Sequence, residues 1–157
     1  RAGLAREQRH DLRTHFRGSR ACARYEAYLV HARAEVRAGD IDDCEALLDG
    51  VQDIGGEARA RHVYVADGAE DSVLAAWRET LADRAWVVSR EQAIAAGWFG
   101  DRVSDEAHMR IGDVVAAARR SAAMVRRTVE PLESSLIGHH GSLTNAEQRV
   151  PLLLAQG

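Results

Sequence analysis

Residues 61–65, Arg-His-Val-Tyr-Val, decide the fold class, because β-branched and aromatic residues in a short run are typical of a strand. Residues 85–88, Ala-Trp-Val-Val, predict a second strand. Residues 69–82 between them predict a helix with one apolar face, formed by Val73, Leu74, Trp77 and Leu81. Strands that alternate with helices at this spacing predict an α/β fold.

Farther along the chain, two apolar runs predict further strands. Residues 113–118 and 122–125 are separated by Arg-Arg-Ser, a pattern that predicts a β-hairpin. Residues 135–138 predict another short strand. Residues 150–155, Val-Pro-Leu-Leu-Leu-Ala, predict a buried closing strand, with its proline near the start, where a missing N–H does least harm.

Two capping boxes predict where helices begin. Ser89 is followed three residues later by Gln92, which predicts a short helix that runs to Gly97. Residues 144–147, Thr-Asn-Ala-Glu, predict a second capping box that opens a single helical turn.

The composition is that of a globular protein with a core of its own. The chain has 157 residues, of which 46% are hydrophobic and 29% are charged. It contains no apolar run of the roughly 20 residues that cross a bilayer, and its first residues do not look like a signal peptide. We therefore expect no membrane partner and a cytoplasmic protein. The chain begins with Arg rather than Met, which leaves open a native start farther upstream.

Charge is distributed unevenly along the chain. Residues 1–38 contain nine Arg and four acidic residues, for a net charge of +5, whereas the remainder has a net charge of −8. The chain has no Lys, so Arg is its only strong cation, and an Arg-rich segment is weak evidence for nucleic acid. We predict that residues 1–40 are a helical or poorly ordered leader, with a helix over 20–38, and that residues 41–157 form the main domain. A frameshift or an artefactual leader remains an alternative for the first forty residues.

The two cysteines, Cys22 and Cys44, lie far apart in the sequence and do not form a CxxC pair. Free thiols in a reducing compartment are the simpler interpretation. Neither cysteine lies near a histidine at the spacing of metal ligands.

Residues 136–144, Leu-Ile-Gly-His-His-Gly-Ser-Leu-Thr, form the most informative stretch for function. A predicted strand brings two histidines, His139 and His140, directly before Gly141, which lets the backbone turn without a Cβ clash. An imidazole held in this way is suited to binding a metal ion. A histidine pair beside glycine is also common in ordinary loops.

The surrounding sequence resembles a known family. Residues 140–147, followed by Val-Pro-Leu-Leu at 150–153, resemble the closing motif of actinobacterial type I phosphodiesterase/nucleotide pyrophosphatase-like proteins of the alkaline phosphatase superfamily. Residues 110–115 resemble the Ile-Gly-Asp strand that precedes that motif. Residues 57–64 and 89–91 resemble the region between the two halves of the family's metal site. The resemblance covers about residues 50–157.

The resemblance implies that the chain is the C-terminal fragment of an alkaline-phosphatase-like sheet. Residues 50–100 would form a small mixed cap-like subdomain, and residues 111–157 would form the closing strands. The family uses two metal ions, usually zinc, to hydrolyse phosphodiester or nucleotide pyrophosphate bonds. The histidine directly before glycine is one of its metal ligands and maps to His140. His139 falls at a variable position, and we assign it no role.

Most of the family's functional residues have no match in this chain. The Thr nucleophile, the first Asp ligand and the two Asp-His ligand pairs lie earlier in the family. We therefore assign no catalytic residue and no cofactor-binding residue besides His140, and we expect a phosphate-ester or nucleotide substrate to be turned over only by a longer protein. One His cannot supply the roughly three protein ligands of a catalytic zinc.

A non-catalytic binding module is the alternative function, with the Arg-rich segment as its contact surface. That alternative predicts folding without metal and binding to nucleic acid that weakens steeply with salt. Other candidate groups are interpreted as structural: Glu130 and Glu133 as solvated side chains, His62 as a surface residue and the three tryptophans as core or lid residues.

Overall fold

A computed structural model describes residues 37–149, and these residues contain short helices and strands in alternation. The strands are β1 (Arg37–Asp40), β2 (Val51–Glu57), β3 (Ala60–Val65), β4 (Ala85–Ser89), β5 (Val114–Ala118) and β6 (Ala122–Val125). The helices are α1 (Glu45–Leu48), α2 (Glu70–Leu81), α3 (Arg90–Ala95), α4 (Asp105–Arg110), α5 (Pro131–Ser134) and α6 (Asn145–Gln148). Among these helices none has the length and apolar character needed to cross a membrane.

The strands form two sheets. Four of them pair antiparallel in the order β2-β3-β5-β4, and β1 pairs in parallel with β6. The predicted mixed α/β fold is confirmed at this level. The strands predicted over residues 61–65 and 85–88 correspond to β3 and β4.

Helix α2 packs on one face of the four-stranded sheet and forms the main core with it. Its predicted apolar face is confirmed, since the four residues expected there are all buried. Trp77 is fully buried, and its indole Nε1 donates a hydrogen bond to the carbonyl oxygen of Leu47, 3.1 Å away. Fully burying a large apolar side chain contributes roughly 1.5–3 kcal/mol relative to leaving it exposed. Packing of α2 against the sheet therefore contributes to the stability of the core.

Strand β5 lies in the middle of the sheet, and all five of its residues are buried. One face of β5 contacts the core under α2. The opposite face carries Val115, which packs with Ala93 and Ile111 and with the partly buried Trp98 and Phe99. A continuous apolar run is the pattern expected of a strand that is covered on both faces.

The predicted hairpin between residues 113–118 and 122–125 is wrong, although both strands and the intervening turn are present. After β5 the chain turns at Arg120, whose φ is +51°, and β6 then pairs with β1 instead. Strand β5 inserts between β3 and β4, because its two buried faces suit the centre of a sheet. Residues 50–100 and 114–118 consequently share one sheet.

The helix predicted over residues 20–38 does not extend to its expected end. Arg37 and Ala38 belong to β1 and pair with Ala122 and Ala123 of β6, so parallel pairing overrides the local helical pattern there. Residues 20–36, and the closing strand predicted over residues 150–155, lie outside the described residues.

Several other local predictions can be compared with the structure. The capping box of Ser89 and Gln92 is confirmed, with both of its hydrogen bonds formed. The strand predicted over residues 135–138 is absent, and the short helix α5 precedes an irregular segment. Strand β2 was not predicted, because it contains two consecutive glycines, which weaken the sequence pattern of a strand. Helix α4 was missed although Ser104 caps its N-terminus.

Candidate functional site

The two histidines lie in residues 138–142, named here the histidine loop, which runs across the sheet face opposite α2. Gly141 has a φ of +105°, a conformation that favours glycine. A Cβ built on Gly141 would lie 3.8 Å from Cβ of Glu57 and 3.9 Å from Cβ of Ala60, so the loop rests on β2 and β3. Backbone conformation, rather than lack of space, therefore favours glycine after His140.

Ser142 fixes the end of the histidine loop to the sheet. Its side chain is buried, and its hydroxyl donates a hydrogen bond to the carbonyl oxygen of Ala118 in β5. Its backbone N–H donates to Oε1 of Glu147 at 3.2 Å, and its carbonyl oxygen accepts from Nε2 of Gln148 at 3.1 Å. The backbone two residues after His140 is thus held by three hydrogen bonds.

Glu147 is itself held by a buried arginine. Nε and Nη2 of Arg59 donate to its two carboxylate oxygens at 2.6 and 2.8 Å. The two side chains are only 7% and 8% exposed. Paired charge-assisted hydrogen bonds of this kind are stronger and more directional than neutral ones. Arg59 and Glu147 therefore tie the histidine loop to the start of β3.

Residues 144–147 do form a helical turn, but not the predicted capping box. The Thr144 side chain makes no capping hydrogen bond to the backbone, and its hydroxyl instead donates to Glu147. The carboxylate of Glu147 is directed to Arg59, because neutralising a buried guanidinium outweighs satisfying one exposed N–H group.

Arg61 forms a second buried ion pair beside the first. Its side chain is 1% exposed, and its two terminal nitrogens donate to the carboxylate of Glu130 at 3.0 and 2.7 Å. Its Nε donates to the carbonyl oxygen of Met124 at 2.9 Å. The prediction that Glu130 is solvated is therefore wrong, whereas Glu133 is exposed as expected.

The two histidines differ in exposure: His139 is half-buried and His140 is exposed. Burial, together with the positive charges of Arg59 and Arg61, lowers the pKa of His139 below its usual value of 6.5. Residues 138–140 are irregular rather than a strand end, so the argument that adjacent strand residues point to opposite faces does not apply to them. The assignment of His140 rests on the sequence motif and on its exposure.

The described residues do not make a complete metal site. Within residues 37–149, no three His, Cys, Asp or Glu side chains converge closely enough to hold a metal ion. His140 could supply one nitrogen ligand, whereas a catalytic zinc ion is bound by roughly three protein ligands. Cys44 carries a free thiol, and Cys22 lies outside the described residues.

His62 was predicted to be a surface residue, and that prediction is wrong. Its ring is half-buried on the sheet, 5.8 Å from the ring of Phe99 between centroids. Its Nδ1 accepts a hydrogen bond from the backbone N–H of Gly112 at 3.1 Å. Burial lowers the pKa of His62, so the ring is neutral at pH 7 and serves as an acceptor.

The comparisons with known proteins identify no relative. No family model, no curated protein and no solved structure matches this chain.

Acid is expected to weaken the attachment of the histidine loop through Glu147. Burial alone would raise the pKa of this carboxyl, but hydrogen bonds from Arg59, Thr144 and Ser142 outweigh it and lower the pKa below the usual 4.5. The pKa of Glu147 is lower in the folded chain than in the unfolded chain. Glu147 therefore contributes its full stabilisation of the fold at pH values above its pKa in the unfolded chain. That stabilisation is lost as the pH falls through its pKa in the folded chain.

Urea unfolding of the chain between pH 7 and pH 3 measures this effect. The free energy of unfolding should fall with acid more steeply in the wild-type chain than in Glu147→Gln. Equal pH dependence of the two proteins would show that Glu147 does not contribute.

Proposed function

We propose that this chain is the C-terminal portion of a two-zinc phosphoric ester hydrolase that acts on phosphodiester or nucleotide pyrophosphate bonds. In this proposal His140 supplies one zinc ligand and the remaining ligands and the nucleophile come from other parts of the protein. The observation that carries the proposal is an exposed histidine whose following residues are fastened to the sheet by buried polar contacts.

A metal ligand works best when its backbone is fixed before the ion binds, because less conformational entropy is then lost. The backbone two residues after His140 meets this condition, since Ser142 is anchored to both β5 and Glu147. The imidazole itself remains accessible to solvent. Arg59, which is buried and donates to both carboxylate oxygens of Glu147, adds to the rigidity of this attachment.

The parallel pair of β1 and β6 supports the view that the described residues belong to a larger sheet. Parallel strands occur mainly in sheets that are covered on both faces, and an isolated pair is unusual. In this proposal β1 and β6 join an alkaline-phosphatase-like sheet. The cap-like part then includes β5 as well as residues 50–100, so its boundary differs from the predicted division, which placed residues 111–157 in the closing strands.

The 157-residue chain alone is expected to have no hydrolase activity, because it offers one ligand of the proposed site. The measurement is release of nitrophenol from bis(4-nitrophenyl) phosphate by the purified chain with zinc, against a zinc-only blank. Turnover above the blank would overturn the interpretation of the chain as part of a larger active site.

The DNA upstream of the coding region gives an independent test. We expect at least one of the three reading frames to encode a Thr nucleophile and the Asp-His pairs of the family. If no frame encodes them, the enzymatic proposal is rejected.

A further inference from the structure

We infer that Arg59 is a positioning residue for the proposed zinc site, because its guanidinium fixes the histidine loop relative to the parallel sheet of β1 and β6. The inference rests on the proposed function, in which His140 supplies one ligand and the other ligands come from parts of the protein that join that sheet. Arg59 binds neither zinc nor substrate in this scheme. It acts only through the position of His140.

The edge of β6 that faces away from β1 is closed by residues 58–61. The backbone N–H of Met124 donates to the carbonyl oxygen of Ala58 at 2.7 Å. The carbonyl oxygen of Ala122 accepts from Nη1 of Arg59 at 2.5 Å, and that of Met124 accepts from Nε of Arg61 at 2.9 Å. Two arginine side chains thus occupy the place of a neighbouring strand. The four-stranded sheet and the parallel sheet are therefore joined at this edge.

The guanidinium of Arg59 connects this edge directly to the histidine loop. Its Nη1 donates to Ala122, the first residue of β6, while Nε and Nη2 donate to the two carboxylate oxygens of Glu147. Oε1 of Glu147 also accepts the backbone N–H of Ser142 at 3.2 Å. One side chain therefore links the parallel sheet to the end of the histidine loop through a single carboxylate.

Arg61 is similar to Arg59 in burial and pairing but differs in what it connects. The two residues are 6% and 1% exposed, and each donates to a glutamate and to a carbonyl oxygen of β6. The partner of Arg61 is Glu130, which directly precedes α5. Among the described residues, none of the hydrogen bonds of Arg61 reaches the histidine loop or Glu147. Arg61 is therefore a matched control within the same fold.

The position of the histidine loop relative to the parallel sheet determines the geometry of the proposed zinc site. Ligand distances around zinc vary by only about 0.2 Å between well-formed sites. In the proposed function, His140 belongs to a loop that rests on β2 and β3, whereas the other ligands belong to the sheet that β1 and β6 join. A planar guanidinium that donates to both parts at once holds them in a fixed relation, which a lysine ammonium cannot reproduce.

The first experiment compares Arg59→Lys with Arg61→Lys in the purified 157-residue chain. Each lysine keeps the positive charge and loses the fork of donors. Backbone order parameters of residues 138–142 are measured by ¹⁵N NMR relaxation. In Arg59→Lys we expect the values at His140 and Gly141 to fall from about 0.85, typical of rigid backbone, toward about 0.6, and in Arg61→Lys to stay unchanged. Unchanged values in Arg59→Lys, or an equal fall in both variants, overturn the inference.

Glu147→Gln provides a second variant that leaves Arg59 in place. The neutral amide cannot accept from the guanidinium at both of its terminal atoms, so the link to the histidine loop is weakened. We expect the order parameters at His140 and Gly141 to fall here as well. A histidine loop that stays as rigid as in the wild type would overturn the inference, even if Arg59→Lys does not fold.

Zinc affinity separates this inference from the proposed function. In the polypeptide that includes the upstream coding sequence, Arg59→Lys should raise the dissociation constant for zinc about tenfold, measured by competition with a chelator, and Arg61→Lys should leave it unchanged. An unchanged constant in Arg59→Lys overturns the positioning role and leaves the proposed function in place. Absence of zinc binding by the wild-type polypeptide contradicts the proposed function, whereas the order parameters still decide whether Arg59 holds the loop.

Discussion

Replacing Arg61 by methionine is expected to lower the free energy of unfolding by about 3–5 kcal/mol. The side chain is almost completely buried, and it donates hydrogen bonds to Glu130 and to the carbonyl oxygens of Met124 and Gly56. Methionine fills a similar space, but it cannot donate hydrogen bonds. The two carbonyl oxygens and the partly buried carboxylate of Glu130 would therefore lose their donor. Because domains are typically stable by only about 5–15 kcal/mol, the loss would be a large part of the total.

Urea unfolding followed by tryptophan fluorescence measures this change, with Arg120→Met as the matched control. Arg120 pairs with Asp83 at the surface, where the two side chains are 75% and 67% exposed. Exposed pairs contribute about 0–1 kcal/mol, so the control should be nearly neutral. Equal losses in the two variants would show that the buried pair does not stabilise the fold.

The local pattern of the sequence was sufficient to predict the helices and strands that bury one face. Helix α2 was predicted from the periodicity of its apolar residues, because burying Trp77 and its neighbours selects the face that the pattern indicates. Strands β3 and β4 were predicted from short runs of β-branched and aromatic residues. The capping box at Ser89 was also predictable, since both of its partners lie within one helical turn.

Strand pairing could not be predicted in the same way. Residues 114–118 and 122–125 are adjacent in the sequence, yet they enter different sheets, because β5 is buried on both faces and β6 pairs with β1. Strand β2 escaped prediction because Gly55 and Gly56 occupy strand positions opposite His62 and Arg61. The pairing of these strands depends on contacts between segments that are distant in the sequence. The periodicity of a single segment carries no information about such pairing.

The polar network beneath the histidine loop was also missed. Arg59 and Glu147 are 88 residues apart, so no local motif links them. One signal was present: Arg61 alternates with the core residue Val63 and therefore shares its inward face. An arginine at an inward position implies a buried partner, which the sequence alone could not identify as Glu130.

The single substitutions His140→Ala and His139→Ala are expected to have very different effects on zinc content and turnover. The appropriate protein is the polypeptide that includes the upstream coding sequence, with bis(4-nitrophenyl) phosphate as substrate. His140→Ala removes a proposed ligand and should cut turnover by about 100-fold or more, with loss of bound zinc. His139→Ala should change turnover only a few-fold, because this half-buried ring lies beside the proposed ligand without binding the metal.

Zinc content per chain, measured for these two variants and the wild type, shows which histidine binds the metal. We expect His140→Ala to lose zinc and His139→Ala to retain it. If His139→Ala loses zinc while His140→Ala retains it, the alignment with the family motif is displaced by one residue. If both variants retain the zinc content of the wild type, His140 is not a metal ligand and the proposed function is contradicted.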